Sequence, residues 1–240
     1  MPRFFIDMPL AAGQLVDLPP EVAHHIHVIR LGPGDPLTLF DGNGGQYEAV
    51  LADVGKKRAT AEVRTFDPRE AELPYPVTLA QALPEGTKMD WIVEKAVELG
   101  VAAVQPLAAR RCVVRLSAER AEKKLAHWRA IVVAASEQSG RNRLATVAEP
   151  AELRDWLAAG SAAPRLLLTP RATQTLADWA RATPPQPVTV MVGPEGGFTD
   201  EEEQEALRQG AIGVAMGPRI LRTETAGLAV LAALGMAWGA

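Results

Sequence analysis

Two segments near the C-terminus combine residues able to hold a small ligand with residues able to move a proton. In VTVMVGPEGGFTDEE, residues 188 to 202, an apolar stretch ending at Val192 runs into Gly193-Pro194-Glu195-Gly196-Gly197. Three glycines in five residues let main-chain amides and carbonyls approach a ligand with no Cβ in the way. A tight strand-to-helix turn accounts for the same glycines equally well. The spacing is not G-x-G-x-x-G, and no G-x-x-x-x-G-K-[ST] occurs, which argues against a dinucleotide fold or a nucleoside triphosphatase. In MGPRILRTETAGLAV, residues 216 to 230, Arg222 and Glu224 flank Thr223 where the last helix is expected to begin. Thr223 or Thr225 can cap that helix, with Glu224 near its positive end. That leaves unexplained why Arg222 stands beside Glu224 at the end of a strand. Glu224 or Glu195 can act as a general base, and Arg222 can stabilise developing negative charge.

These segments need a scaffold, and the chain divides into two kinds of pattern. Residues 1 to about 66 read as short strands, FFIDM, VIRL, DPLTLFDG, QYEAVLADV and RATAEVRTF, broken by turn signals at 32 to 34 and 41 to 45. A small β-barrel is expected there. DPREAELPYP, residues 67 to 76, has three prolines and no apolar period and reads as a linker, giving domains 1 to 70 and 73 to 240. Beyond it strands alternate with helices: VTLAQAL, KMDWIVEKAVELG, VAAVQPL, a long helix from Ser117 to about Gly140, then ELRDWLAAG, LLLT, LADWARA, VTVMVG, a helix at Thr199, IGVAM and a terminal helix. Thr199 and Glu202 form a capping box, and Gly210 closes that helix. About six β–α units imply a mainly parallel sheet covered on both faces. Ligands bind such sheets at the carboxyl ends of the strands, which points to the loops after LLLT, VTVMVG and IGVAM.

The composition of the 240 residues, 48% hydrophobic and 22% charged, is that of a globular chain with a substantial core. Cys112 is the single cysteine, so no intramolecular disulfide or cysteine-based metal site is expected. The N-terminus, MPRFFIDMPL, lacks the pattern of a secretory signal, and the cytoplasm is the expected compartment. Ala226 to Trp238 is too short to span a bilayer and reads as a buried helix. His24, His25 and His27 lack the company of cysteines or paired carboxylates, and no metal is expected. Net charge is −4, yet residues 106 to 145 carry nine basic residues against three acidic ones. Such a patch suits a polyanion better than it suits a merely solvated helix face. Residues 1 to 70, by contrast, hold ten acids against seven bases.

GPEGGF and GPRILRTETA, together with WIVEKAVELGV at 91 to 101 and ASEQSGRNR at 135 to 143, closely resemble the RsmE-type 16S ribosomal RNA uridine-N3 methyltransferases of the SPOUT superfamily. PRFF at the start and HHIHVIRLGPGD at 24 to 35 extend the resemblance over essentially the whole chain. The resemblance implies an α/β protein with a PUA-like N-terminal β-barrel that docks RNA. It implies a C-terminal domain tied into a deep trefoil knot, although general fold rules weigh against knots. It also implies a homodimer that binds S-adenosylmethionine and acts on 16S rRNA within the small ribosomal subunit.

Carried over residue by residue, the cofactor loops are Leu168-Thr169-Pro170, Gly193-Pro194-Glu195-Gly196-Gly197, and Met216-Gly217 with Ile220-Leu221-Arg222. Arg222, Glu224 and Glu195 are the catalytic candidates. Phe198 can stack on a base or belong to the core. Arg3, His24 and Arg30 are the RNA-contact candidates of the first domain, and Arg110, Arg111, Arg115, Arg141 and Arg143 those of the second. Rival readings are another knotted methyltransferase, acting on a ribose 2′-hydroxyl or a transfer RNA base, and a non-catalytic RNA-binding or ribosome-assembly factor. The intact glycine loop and the Arg222/Glu224 pair weigh against the latter.

Overall fold

The computed structural model describes residues 1 to 239. The chain forms two compact units, one of Met1–Glu72 with Ser136–Leu144, the other of Leu73–Ala135 with Ala145–Ala240.

The first unit is a five-stranded sheet in the order β1-β3-β4-β5-β2. Its strands are β1 (Arg3–Phe5), β2 (Leu15–Asp17), β3 (Pro36–Phe40), β4 (Gln46–Val54) and β5 (Ala59–Asp67). β1 runs parallel to β3 and the other pairs are antiparallel. Phe4, Ile6, Val16, Leu37, Leu39, Leu51 and Val63 form its core with Ile26 of a helix, α1 (Pro20–Val28). This helix corrects the expected strand VIRL. Proline begins it without losing a bond the helix needs. Val22, Ala23 and Ile26 share one buried face, and Arg30 turns the chain away with φ of 62°. VIRL is therefore a helix end followed by a turn.

Segment 136 to 144, expected in the second domain, belongs to the first unit, and polar contacts explain why. Arg141 pairs with Glu72, with Nε donating to Oε1 at 3.0 Å. Asn142 donates to the Arg69 carbonyl at 2.6 Å and accepts from Arg3 at 2.8 Å. The Phe5 amide donates to Glu137 at 2.9 Å. Buried polar groups that satisfy one another fix a segment in one place.

The second unit is a seven-stranded parallel sheet. β6 (Val77–Ala82), β7 (Ala103–Ala108), β8 (Thr146–Val147), β10 (Arg165–Leu168), β11 (Val188–Val192) and β12 (Ile212–Val214) lie in the order β12-β10-β11-β6-β7-β8, and β9 (Ala151–Glu152) pairs with β7. All five residues of β11 are buried, as cover on both faces requires. The helices are α2 (Lys88–Glu98), α3 (Ala118–Ser139), whose last turn from Ser136 counts with the first unit, α4 (Leu153–Ala158), α5 (Leu176–Ala182), α6 (Asp200–Arg208) and α7 (Thr223–Trp238). α6 opens with the expected capping box, Thr199 with Glu202, and Gly210 follows it with φ of 85°.

Chain order and position in the sheet diverge at the end of the chain. β12 lies at the sheet edge, yet α7 packs on β6 and β11 and against α2 and α5. Gly227 allows that contact, because a Cβ there would lie 2.8 Å from Cδ1 of Leu79 and 3.4 Å from Cγ2 of Val192. In β10, buried Arg165 donates to the carbonyls of Trp156, Leu157 and Gly160 and so closes the end of α4.

Burial pushes the Glu137 carboxyl above its ordinary range, although the Phe5 amide and the charges of His25 and Arg3 oppose this. A raised carboxyl favours the folded state most below the ordinary glutamate value, and that contribution is lost as pH rises through the raised value. Glu137→Gln keeps an acceptor for Phe5 and removes the titration. Urea midpoints are expected to favour the variant more at pH 7 than at pH 4, and an equal difference at both pH values would refute the assignment.

Candidate active site

The carboxyl ends of β10 and β11, adjacent and parallel, open onto a cleft of about 460 Å³. Its walls are Leu168 at the end of β10 and Pro170 after it, residues 193 to 198 after β11, and residues 220 to 224 before and at the start of α7, with Lys88 and Glu203 at the side. Three loops far apart in sequence meet there.

The glycines are a steric requirement. A Cβ on Gly193 would lie 2.8 Å from the Phe198 amide nitrogen and 3.0 Å from Cα of Gly197. Gly197 has φ of 68°, and its amide donates to the Pro194 carbonyl at 2.8 Å, closing the turn. Arg111 braces it from outside, donating to the carbonyls of Gly196 at 2.7 Å and Phe198 at 3.2 Å. Phe198 is only 3% exposed and is a core residue at the cleft wall.

Neither threonine caps α7. Arg222 occupies the cap position without a side-chain bond. Thr223 Oγ1 instead donates to the Gly193 carbonyl at 2.6 Å and accepts from Gln81 Nε2 at 2.9 Å. That buried hydroxyl ties α7 to the glycine loop and to β6.

The two candidate carboxylates differ. Glu195 accepts from Lys88 Nζ at 2.5 Å and from the Glu85 amide at 3.0 Å. Burial would raise its pKa, but the Lys88 ammonium and the amides outweigh burial and hold the carboxyl below its usual range. A carboxylate so held is a weak base. Glu224 faces the cleft with Oε2 buried and without a hydrogen-bond partner, and its Oε1 is 3.9 Å from Nη1 of Arg222. Arg222 itself is 84% exposed.

Other expected site residues lie elsewhere. Thr169 does not line the cleft; its hydroxyl donates to Glu203 at 3.1 Å and accepts from the Arg171 amide at 3.3 Å. Met216 and Gly217 line a separate, mainly apolar cavity of about 550 Å³ with Leu176, Ala180 and Ala233. His24, Arg30, Arg110, Arg111 and Arg115 are exposed. Arg143 is about half exposed and pairs with Glu70 at 3.2 Å. Arg141 is 3% exposed and committed to Glu72, which corrects its assignment as an RNA contact. Arg3 is partly buried, bonded to Gln46 and Asn142. Sequence reasoning missed Lys88 and Glu203 at the cleft: helical periodicity does not mark Lys88 for a loop formed over 100 positions later, and Glu203 reads as one of the four acids of the first turn of α6. Among the described residues no group of His, Cys, Asp and Glu is placed to hold a metal ion, and no helix is long and apolar enough to cross a membrane.

A parallel sheet with a glycine-walled cleft at its carboxyl end is a ligand-binding α/β domain, and comparison with known families gives its class, an RNA methyltransferase domain. The family model of that description matches residues 71 to 235, and a model of the RNA methyltransferase PUA domain matches residues 18 to 64. Ribosomal RNA small subunit methyltransferase E of Bacillus subtilis is 31% identical over 98% of this chain and 96% of its own. That of Mycobacterium tuberculosis is 34% identical over 97% and 90%. The crystal structure of the Neisseria gonorrhoeae enzyme bound to S-adenosyl methionine superposes with a TM-score of 0.92 at 41% identity, covering 99% of this chain and 98% of that one. A methyltransferase of Legionella pneumophila in complex with the same cofactor superposes with a TM-score of 0.92 at 35% identity over 98% and 97%. The chain belongs to the ribosomal RNA small subunit methyltransferase E family.

Thr223→Val keeps the shape of the side chain but leaves the Gly193 carbonyl and the Gln81 amide each without one bond. Urea unfolding is expected to show a loss of about 1–3 kcal/mol, restored by Thr223→Ser. A wild-type midpoint for the valine variant would dismiss the tie.

Proposed function

We propose that this chain transfers the methyl group of S-adenosylmethionine to N3 of a specific uridine in 16S ribosomal RNA, with the small ribosomal subunit as substrate. One observation carries the reading: the cleft at the ends of β10 and β11 combines a three-glycine loop in its wall with a buried, unpartnered carboxylate oxygen on Glu224.

The cleft suits this cofactor. Its volume falls in the range of small-molecule sites, roughly 300–1,000 Å³. Leu168, Pro170, Ile220 and Leu221 offer apolar surface for a flat base, and the glycine loop brings main-chain groups close. Bound S-adenosylmethionine would supply an electrophilic methyl carbon on a positively charged sulfur. Glu224 then takes the proton from uridine N3, which must be lost before or during attack. Arg222 faces the negative charge that develops on the ring. Glu195 holds the loop and moves no proton.

The first unit is read as the PUA-like barrel that docks RNA. Arg3, His24 and Arg30 there, with Arg110, Arg111, Arg115 and Arg143, make contacts that position the RNA rather than read its sequence. The passage from edge strand β12 back to β6 and β11 supports a trefoil knot in which the chain threads past the loops after β10 and β11. Family membership supports a homodimer acting in the cytoplasm.

The test is methyl transfer from labelled S-adenosylmethionine to small subunits from a strain lacking this activity, followed by nucleoside analysis. 3-Methyluridine is expected. Label on ribose or on another base would overturn the assignment. Glu224→Gln should bind the cofactor with unchanged Kd and methylate about 10²-fold or more slowly, and wild-type turnover would remove Glu224 as the base.

A further inference from the structure

Two cationic side chains line the cleft, and they are placed differently. Arg222 extends into solvent. Lys88, the first residue of α2, is about one-third exposed and holds its ammonium against Glu195. The same Glu195 oxygen accepts the Glu85 amide, so the acidic member of the glycine loop is fastened to the segment that leads into α2. Lys88 also interacts electrostatically with Glu224 across the cleft. It therefore bonds the carboxylate that moves no proton and shares the cleft with the one assigned to proton transfer.

Removing the N3 proton creates an anionic ring in a cleft lined by three carboxylates, Glu195, Glu224 and Glu203, the last of which pairs with Arg171 at 3.0 Å. Once Glu224 has taken the proton it is neutral, Glu203 is balanced by Arg171, and Glu195 remains as the like charge on the glycine loop. The N3 lone pair then forms the nitrogen–carbon bond as the carbon–sulfur bond breaks and its electrons pass to sulfur. The proton on Glu224 leaves to solvent, and the charges balance. Throughout this sequence an uncancelled Glu195 would oppose the anion.

We propose that Lys88 is a positioning residue for methyl transfer, acting through Glu195: it fastens the glycine loop to the start of α2 and cancels the negative charge beside which the uracil anion forms. This rests on the reading of Glu224 as the base. A merely structural tether would affect stability and cofactor binding alone. Charge cancellation adds a kinetic signature, because loss of Lys88 leaves the Glu195 charge uncancelled and disfavours deprotonation of the ring beside it.

The experiment compares full-length Lys88→Met, Lys88→Arg and Lys88→Met/Glu195→Gln proteins in the subunit assay at saturating S-adenosylmethionine, across pH, with urea midpoints and cofactor Kd measured in parallel. Lys88→Met should lower kcat by about 10- to 100-fold and move the acidic limb of the pH–rate profile to higher pH. Lys88→Arg should retain most activity. The double variant should recover much of kcat and return the limb, because the glutamine amide carries no charge and can still accept the Glu85 amide. A Lys88→Met protein with wild-type kcat and pH profile, even with a lowered urea midpoint, would overturn the proposal. So would a double variant no better than Lys88→Met. An active Glu224→Gln enzyme would sink the base assignment instead, which keeps the two failures distinct.

Discussion

Three segments distant in the chain meet at the hydroxyl of Thr223. It donates to the Gly193 carbonyl and accepts from Gln81, joining the start of the last helix to the glycine loop and to the strand beside it. Thr223 is 6% exposed and Gln81 fully buried, so the bonds form where water cannot replace them. The rest of the cleft follows from this anchor. With α7 fixed there, residues 220 to 222 must pass in front of β10 and β11, and Glu224, one residue on, faces the cleft. Gly227, one turn later, lets the helix lie against Leu79 and Val192. A bulkier residue there would lift the helix, and the register of Glu224 with it.

The same anchor makes two similar glutamates different. Glu195 sits in a loop bonded on both sides, to Thr223 through the Gly193 carbonyl and to Lys88 and Glu85 through its own carboxylate. Glu224 sits on the first turn of α7 with one oxygen buried and unpartnered. The lysine reaches one carboxylate and leaves the buried oxygen of the other without a partner.

How much of this is legible in the sequence depends on whether the signal is local. The capping box Thr199/Glu202 and the glycine at 210 lie within one helix and can be read directly. The parallel sheet follows from alternating patterns, and the cleft loops from the rule that such sheets bind ligands at their strand ends. VIRL misleads because its β-branched residues favour a strand, while the buried face of Val22, Ala23 and Ile26 binds it to the helix before it. ASEQSGRNR reads as part of the wrong unit because its partners, Glu72, Arg69 and Arg3, are some 70 to 140 positions upstream. The family resemblance groups Met216 and Gly217 with Arg222 as one cofactor loop, and in the structure these two line a neighbouring cavity. Strand order and ion pairs between distant positions leave no periodic trace.

Charge shows why composition alone is a poor guide to an RNA surface. Residues 106 to 145 carry nine bases against three acids, a local excess inside a chain of net charge −4. The structure spends part of it internally. Arg141 is buried on Glu72, Arg111 braces two carbonyls of the glycine loop, Lys123 pairs with Glu119, and Lys124 and His127 face Asp90. Each exposed pair contributes little to stability, so the side chains remain exchangeable for phosphate. Buried Arg141 is not, because removing its partner would leave a charge without water. The surface that can meet a polyanion is thus smaller than the count of arginines, and it is set by which of them the fold leaves exposed.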